Sequence, residues 1–244
     1  MTAQLRSELL KLTTTRTVPL LLAAAAGLTL LGTCIEGVTP ALAELARSDQ
    51  QRELLGAGST GSILLATFAG VIAVTSEFRY GTIRPTLMFE PRRRLVLGAK
   101  LAAAAAAGVV FAAVCLAISF GVGLAILGAR DVEVAVTSAD VWLLVFGAGA
   151  ATVLIAMIGV AVGALFRNQA GAIVALVAYS LAVEAVVFAA LPSVGGYLPG
   201  KAGDALAGRP VDELVAPGLG AAVLVAWTLA FVVAASARDE LTDV

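Results

Sequence analysis

The run LAAAAAAGVVFAAVCLAISFGVGLAIL, residues 101–127, decides the fold class of this chain: it carries no charge over its whole length and exceeds the roughly 20 residues a helix needs to cross about 30 Å of hydrocarbon. Immediately before it stands SEFRYGTIRPTLMFEPRRRLVLGAK, residues 76–100, which holds six basic residues between that run and another apolar one. A charged connector with turn and helix signals is costly to keep between two membrane spans unless something docks on it. Working outward, five more segments have the length and composition of spans: 18–38, 57–74, 141–166, 170–191 and 219–237. The sequence therefore reads as an all-α integral membrane protein, one domain over 1–244 with six transmembrane helices.

Composition agrees. The 244 residues are 60% hydrophobic and 14% charged, with mean hydropathy +0.98, against roughly 45–50% apolar and 25% charged in a soluble domain. Thirteen Arg against three Lys, with abundant Ala, Gly and Val, fits a high-GC bacterial genome and hence a bacterial plasma membrane. The first apolar run is longer than a secretory signal core and follows a segment containing Glu8, so it is expected to stay as an uncleaved span. The 57–74 span is the least apolar, entered through Gly56 to Gly61, and its outer boundary is loosely defined. The turn Arg167-Asn168-Gln169 forces the fourth and fifth spans into an antiparallel hairpin. Segment 41–55 is helix-compatible, and 192–217, rich in Gly and Pro, leaves open a short re-entrant or interfacial element.

Orientation follows from the Lys/Arg bias of the flanks. One side receives Arg6, Lys11, Arg16, Arg79, Arg84, Arg92, Arg93, Arg94, Lys100, Arg167 and Arg238, eleven in all, and the other only five: Arg47, Arg52, Arg130, Lys201 and Arg209. Both termini are thus expected in the cytoplasm. Ahead of the first span, Leu5, Leu9 and Leu12 recur at helical spacing with Arg6, Glu8 and Lys11 on other faces, which predicts an amphipathic helix over residues 2–16 lying on the inner membrane surface.

Much chemistry is missing. The chain has no histidine, which removes Ser-His and Cys-His nucleophile pairs, His-ligated zinc and His proton relays. No phosphate-binding G-x-x-x-x-G-K-[ST] occurs, so the chain is expected to be non-catalytic, with no catalytic, cofactor-binding or metal-binding residue of its own. Cys34 and Cys115 lie in apolar runs and read as core residues. One carboxylate, Glu184, falls not at the end of a span but well inside it, where insertion costs roughly 2.5–3.5 kcal/mol. Ser180 stands one turn earlier, on the same face if the helix is regular. Two readings are open for Glu184: a group lining a polar path, or a structural carboxyl bonded between helices. Gly159 and Gly163, and Ala104, Gly108 and Ala112, place small residues at four-residue spacing, suited to close helix packing within the chain or between two copies.

Within the connector, Thr82 can cap a helix, Pro85 is tolerable in a first turn, and Pro91 forces Glu90 out of helical geometry. The product is a helix of about two turns, Ile83 to Phe89. Ile83, Leu87 and Met88 form an apolar knob suited to a groove on a soluble partner. Arg92, Arg93 and Arg94 follow; topology and attraction to anionic lipid account for most of their effect.

The N-terminal Glu8-Leu9-Leu10-Lys11-Leu12 with Thr15-Arg16, the connector Glu77-x-x-x-Gly81-Thr82 followed by Pro91-x-Arg93 and Lys100, the six spans and the closing Arg238-Asp239 together resemble ABC-2 type transporter permeases. The resemblance covers the layout of the whole chain, and its motifs lie in the N-terminal segment and in 77–100. It implies that the N-terminal helix is a connecting helix and that the connector carries a coupling helix inserting into a separate ATP-binding subunit. Glu77, Gly81, Thr82, Pro91, Arg93 and Lys100 match that pattern. It further implies ATP and magnesium on the partner ATPase, a second permease copy or paralogue, and a cargo among drugs, antibiotics, peptides, lipids, polysaccharides and ions, with no nucleic acid involved; the apolar spans with few charges point to export of a hydrophobic or amphipathic member of that set. A nucleotide-independent transporter or channel, and a membrane anchor that recruits a cytoplasmic partner, are the alternatives.

Overall fold

A computed structural model describes residues 2–241, without the side chains of Thr2 and of residues 239–241; the Asp239 side chain therefore lies outside the described residues. Every regular element among the described residues is helical. In chain order these are α1 (Thr2–Thr14), α2 (Thr17–Val38), α3 (Leu42–Leu45), α4 (Ser48–Arg79), α5 (Ile83–Phe89), α6 (Arg93–Ala129), α7 (Ser138–Phe166), α8 (Gln169–Ala190), α9 (Pro192–Gly195), α10 (Pro199–Leu206) and α11 (Pro217–Leu241). Six of them, α2, α4, α6, α7, α8 and α11, are long and apolar enough to cross a membrane.

The least apolar of the six is the central one. α4 has the lowest mean hydropathy, 1.7, yet 67% of its span is buried, while the more apolar α2 and α8 are 17% and 11% buried. A helix facing lipid must be apolar all round, whereas one surrounded by helices can carry small and weakly polar residues that bond to their own backbone. Ser59, Ser62, Thr67 and Thr75 of α4 do so, and Ser62 also reaches Thr152 of α7 at 3.1 Å. Small residues set the spacing as well. A Cβ on Gly70 would strike the Ala156 carbonyl, one on Gly159 the Thr67 carbonyl, and one on Gly163 would lie 2.9 Å from the Val71 carbonyl. Gly159 and Gly163 thus face α4 of the same chain. Gly108 packs likewise on Val153 of α7, with Ala104 and Ala112 buried beside it on α6.

Several expected boundaries change: the third span begins at Arg93 rather than 101 and so takes in the end of the connector. The second span begins at Ser48 rather than 57, and the separate helix expected over 41–55 shrinks to the four residues of α3 before Arg47 breaks the chain in extended geometry. The segment 192–217 holds α9 and α10, and α10 packs against α11 and α7. Fully buried Gln51 ties this end together: its amide donates to the Leu45 and Glu133 carbonyls at 3.1 and 2.8 Å and accepts the Ala135 N–H at 2.7 Å. At the other end, Asn168 caps α8 by accepting the Gly171 N–H at 2.9 Å, and Arg167 turns through φ 54° with its guanidinium 5.3 Å from the Phe78 ring centre. Both cysteines are unpaired; Cys115 is buried and Cys34 half-buried.

Candidate functional site

The connector is built as its residues dictate. α4 ends where Gly81 takes φ 68°, a left-handed conformation that costs other residues about 1–2 kcal/mol. The Thr82 N–H then returns to the Glu77 carbonyl at 2.9 Å and the Gly81 N–H to Phe78 at 3.4 Å, the paired bonds of a Schellman ending. α5 spans Ile83–Phe89 and stops at Glu90, held extended at φ −132°, ψ 92° ahead of Pro91. Thr82 occupies the cap position, but its backbone is already helical and its side chain makes no cap bond.

The expected apolar knob divides. Ile83 and Leu87 turn toward the bundle, where with Val74, Phe78, Arg93 and Lys100 they line a cavity of about 30 Å³, room for a water or two. Met88 stays outward, 84% exposed, and its companion is Phe89 at 92%. The divergence is a matter of phase. Ile83 and Leu87 are four apart and share one face, while Met88 and Phe89 are one and two positions further round, about 100° and 200° from Leu87.

Glu77 and Lys100 do not belong to that exposed surface. They are 5% and 3% exposed, and so is Glu8 of α1 at 3%. The Lys100 ammonium lies 2.7 Å from Glu77 Oε1 and 3.0 Å from Glu8 Oε2, while Lys11 lies 2.6 Å from the same Glu77 oxygen and 2.7 Å from Glu8 Oε1. Two carboxylates and two ammoniums form a neutral quartet joining α1, α4 and α6. Glu77 Oε2 is buried without a partner. Burial tends to lower the Lys11 pKa, but hydrogen bonds and charge from Glu77 and Glu8 outweigh it and hold the pKa above the ordinary lysine value. This alters the reading of α1: its bundle-facing side centres on Glu8, and Leu9 and Leu10 are 37% and 53% exposed. The Leu5, Leu9, Leu12 spacing does not reveal a buried carboxylate, because Lys11 is a local and half-exposed partner while the buried cation, Lys100, lies 92 residues away.

Glu184 is buried at the opposite end of the bundle, 5% exposed. Residues Tyr179–Glu184 form a π-helical turn within α8, and this turn decides where the carboxylate points. Ala172, buried on the inner face of α8, precedes Glu184 by a separation that would leave the two about 120° apart in a regular helix. One inserted π residue brings them back to within about 20°. Ser180, expected on the same face, is instead exposed, since the π turn breaks the four-residue relation. Glu184 meets the start of α10: Oε1 accepts the Lys201 N–H at 2.9 Å, and the Gly200 amide bonds to the same carboxylate. A hydrogen bond between two elements is what the structural reading of Glu184 expects.

No protein-family model matches this chain, and no curated protein sequence matches it.

Proposed function

We propose that the chain is the membrane-spanning permease subunit of an ATP-binding-cassette exporter of the ABC-2 type, working with a separate ATPase and a second permease. The observation that carries the reading is α5. A seven-residue helix between two membrane-length helices presents adjacent Met88 and Phe89 at 84% and 92% exposure, and a large apolar pair at such exposure on a rigid support suits the groove of a soluble partner. The support is stiff because Glu77 does two things. Its carbonyl closes α4 on Thr82, and its carboxylate ties α4 to α1 and α6. Displacement of α5 by a partner would therefore move three helices together, with nucleotide state biasing two bundle arrangements. On this reading the end that carries α1 and α5 is cytoplasmic, ATP and magnesium sit on the partner, and the cargo is hydrophobic or amphipathic.

An ATPase with a phosphate-binding loop is expected in a neighbouring reading frame, and the test is co-purification with it. Replacing Met88 and Phe89 together by Asp abolishes the complex while leaving the thermal stability of the permease within about 0.5 kcal/mol, as for other exposed sites. An ATPase that binds the double variant as well as the native chain overturns the assignment.

A further inference from the structure

The helix α10 could not stand alone. Its sequence, PGKAGDAL, contains two glycines and opens on a proline; its cap position, Leu198, offers no acceptor side chain; and helices this short are marginal in water even when rich in alanine. It is helical because its surroundings complete it. Glu184, reaching across from α8, takes the N–H groups at its start, and a Cβ at Gly200 would overlap the carboxylate. Gly208, at φ 69°, closes its other end, with the Arg209 N–H returning to the Asp204 carbonyl at 3.1 Å.

The seat is made of glycines. A Cβ on Gly147 of α7 would strike the Leu206 carbonyl, and one on Gly220 of α11 would lie 2.9 Å from the Ala202 carbonyl. Gly147 is the last residue of a second π-helical turn, Leu143–Gly147. Both π turns therefore abut this one short helix, the first at its start through Glu184 and the second at its end through Gly147. Ala202 and Ala205 are buried in the seat. Lys201 is 3.2 Å from Asp204, and Asp204 is 3.8 Å from Arg209, which also donates to Thr60 at 2.7 Å and attracts Glu36 of α2.

We propose that α10 is helical only when docked in this seat, and that the Glu184 carboxylate is the latch that holds it there. Glu184 is then a positioning residue that acts through α10, and no part of a polar path. Folding and docking of α10 are one event, because neither its start nor its buried face is satisfied away from the seat.

The test is amide hydrogen exchange of the full chain in lipid nanodiscs, read on peptides covering 199–207. Glu184→Ala accelerates exchange there by about five- to thirtyfold, the equivalent of losing a helix cap, with the cores of α4 and α7 unchanged. Glu184→Gln falls between, since an amide keeps one acceptor oxygen. The deciding variant is Glu184→Ala combined with Leu198→Asp. Residue 198 has extended cap geometry, φ −74°, ψ 151°, so an aspartate there supplies the missing acceptor from within the segment and slow exchange returns. If the single variant fails to accumulate, recovery of its yield in the double variant supports the latch. Native exchange in Glu184→Ala, or a double variant that recovers neither exchange nor yield, overturns it. None of these readouts involves transport, so the outcome is separate from the permease reading.

Discussion

At the scale of single residues, the quartet of Glu8, Lys11, Glu77 and Lys100 has the most at stake. Removing one member of a buried ion pair leaves its partner uncompensated and costs about 3–5 kcal/mol, whereas removing a matched pair is far milder. Lys100→Met is accordingly expected to lower the melting temperature in detergent sharply, and Lys100→Met with Glu8→Gln to recover most of the loss. The quartet also sets a pH dependence. The Lys11 pKa is raised in the folded chain, so its stabilising contribution is complete below the ordinary value of 10.5 and fades as pH rises through the higher folded value. Exchange of the α1 amides should be steady up to that ordinary value and quicken beyond it, over and above the intrinsic base-catalysed rate measured on an unfolded peptide. Gly81 and Gly98 offer a matched comparison, since an added Cβ meets nothing within 4 Å at either. Only Gly81 has positive φ. Alanine at 81 is expected to destabilise by about 1 kcal/mol and at 98 to stabilise by up to about 1 kcal/mol, both read from melting curves.

Among the elements, α5 lets docking be separated from folding. Ile83 is half-buried against the bundle, so Ile83→Asp should lower the melting temperature by putting a charge against apolar neighbours, while aspartates at 88 and 89 leave melting unchanged and act only on partner binding. The limits of α5 were legible in the sequence because its signals are local: Thr82 marked the start, although its side chain makes no cap bond, and Pro91 marked the extended residue before it. The six spans were legible for a similar reason, since each apolar run reports its own contact with lipid. The true start of α4 was not, because a helix lined by Gly56, Gly58, Ser59 and Gly61 gains its stability from neighbours rather than from its own composition. Nor were the π turns, which no residue in Tyr179–Glu184 announces. The outward side of α5 was misjudged for want of its backdrop: Ile83 and Leu87 are as apolar as Met88 and Phe89, and only α4 and α6 decide which pair is covered. Glu77 and Lys100 were picked out by motif, but their burial and their link to α1 depend on contacts between distant parts of the chain.

For the molecule as a whole, the proposed orientation puts α5 and the α9 to α10 segment on opposite faces of the bilayer. With Cys34 and Cys115 changed to Ala, an impermeant thiol reagent applied to intact cells should label Asp212→Cys and spare Met88→Cys, and inverted vesicles should give the reverse. Labelling of Met88→Cys from outside would place the connector on the wrong face for any cytoplasmic ATPase. The cap made by Glu184 also bears on the rival transporter and channel readings, since it engages a span carboxylate that they would draw on for a polar path. A last consequence concerns synthesis. Glu8 leaves the ribosome 92 residues ahead of Lys100, so during translation the N-terminal arm carries a carboxylate whose buried cation does not yet exist. Until the third long helix is inserted the arm has to wait among hydrated lipid headgroups, and the order in which helices enter the bilayer becomes the clock for its assembly. A nascent chain arrested with its first two spans inserted and its third long helix still inside the ribosome should therefore keep an arm open to protease.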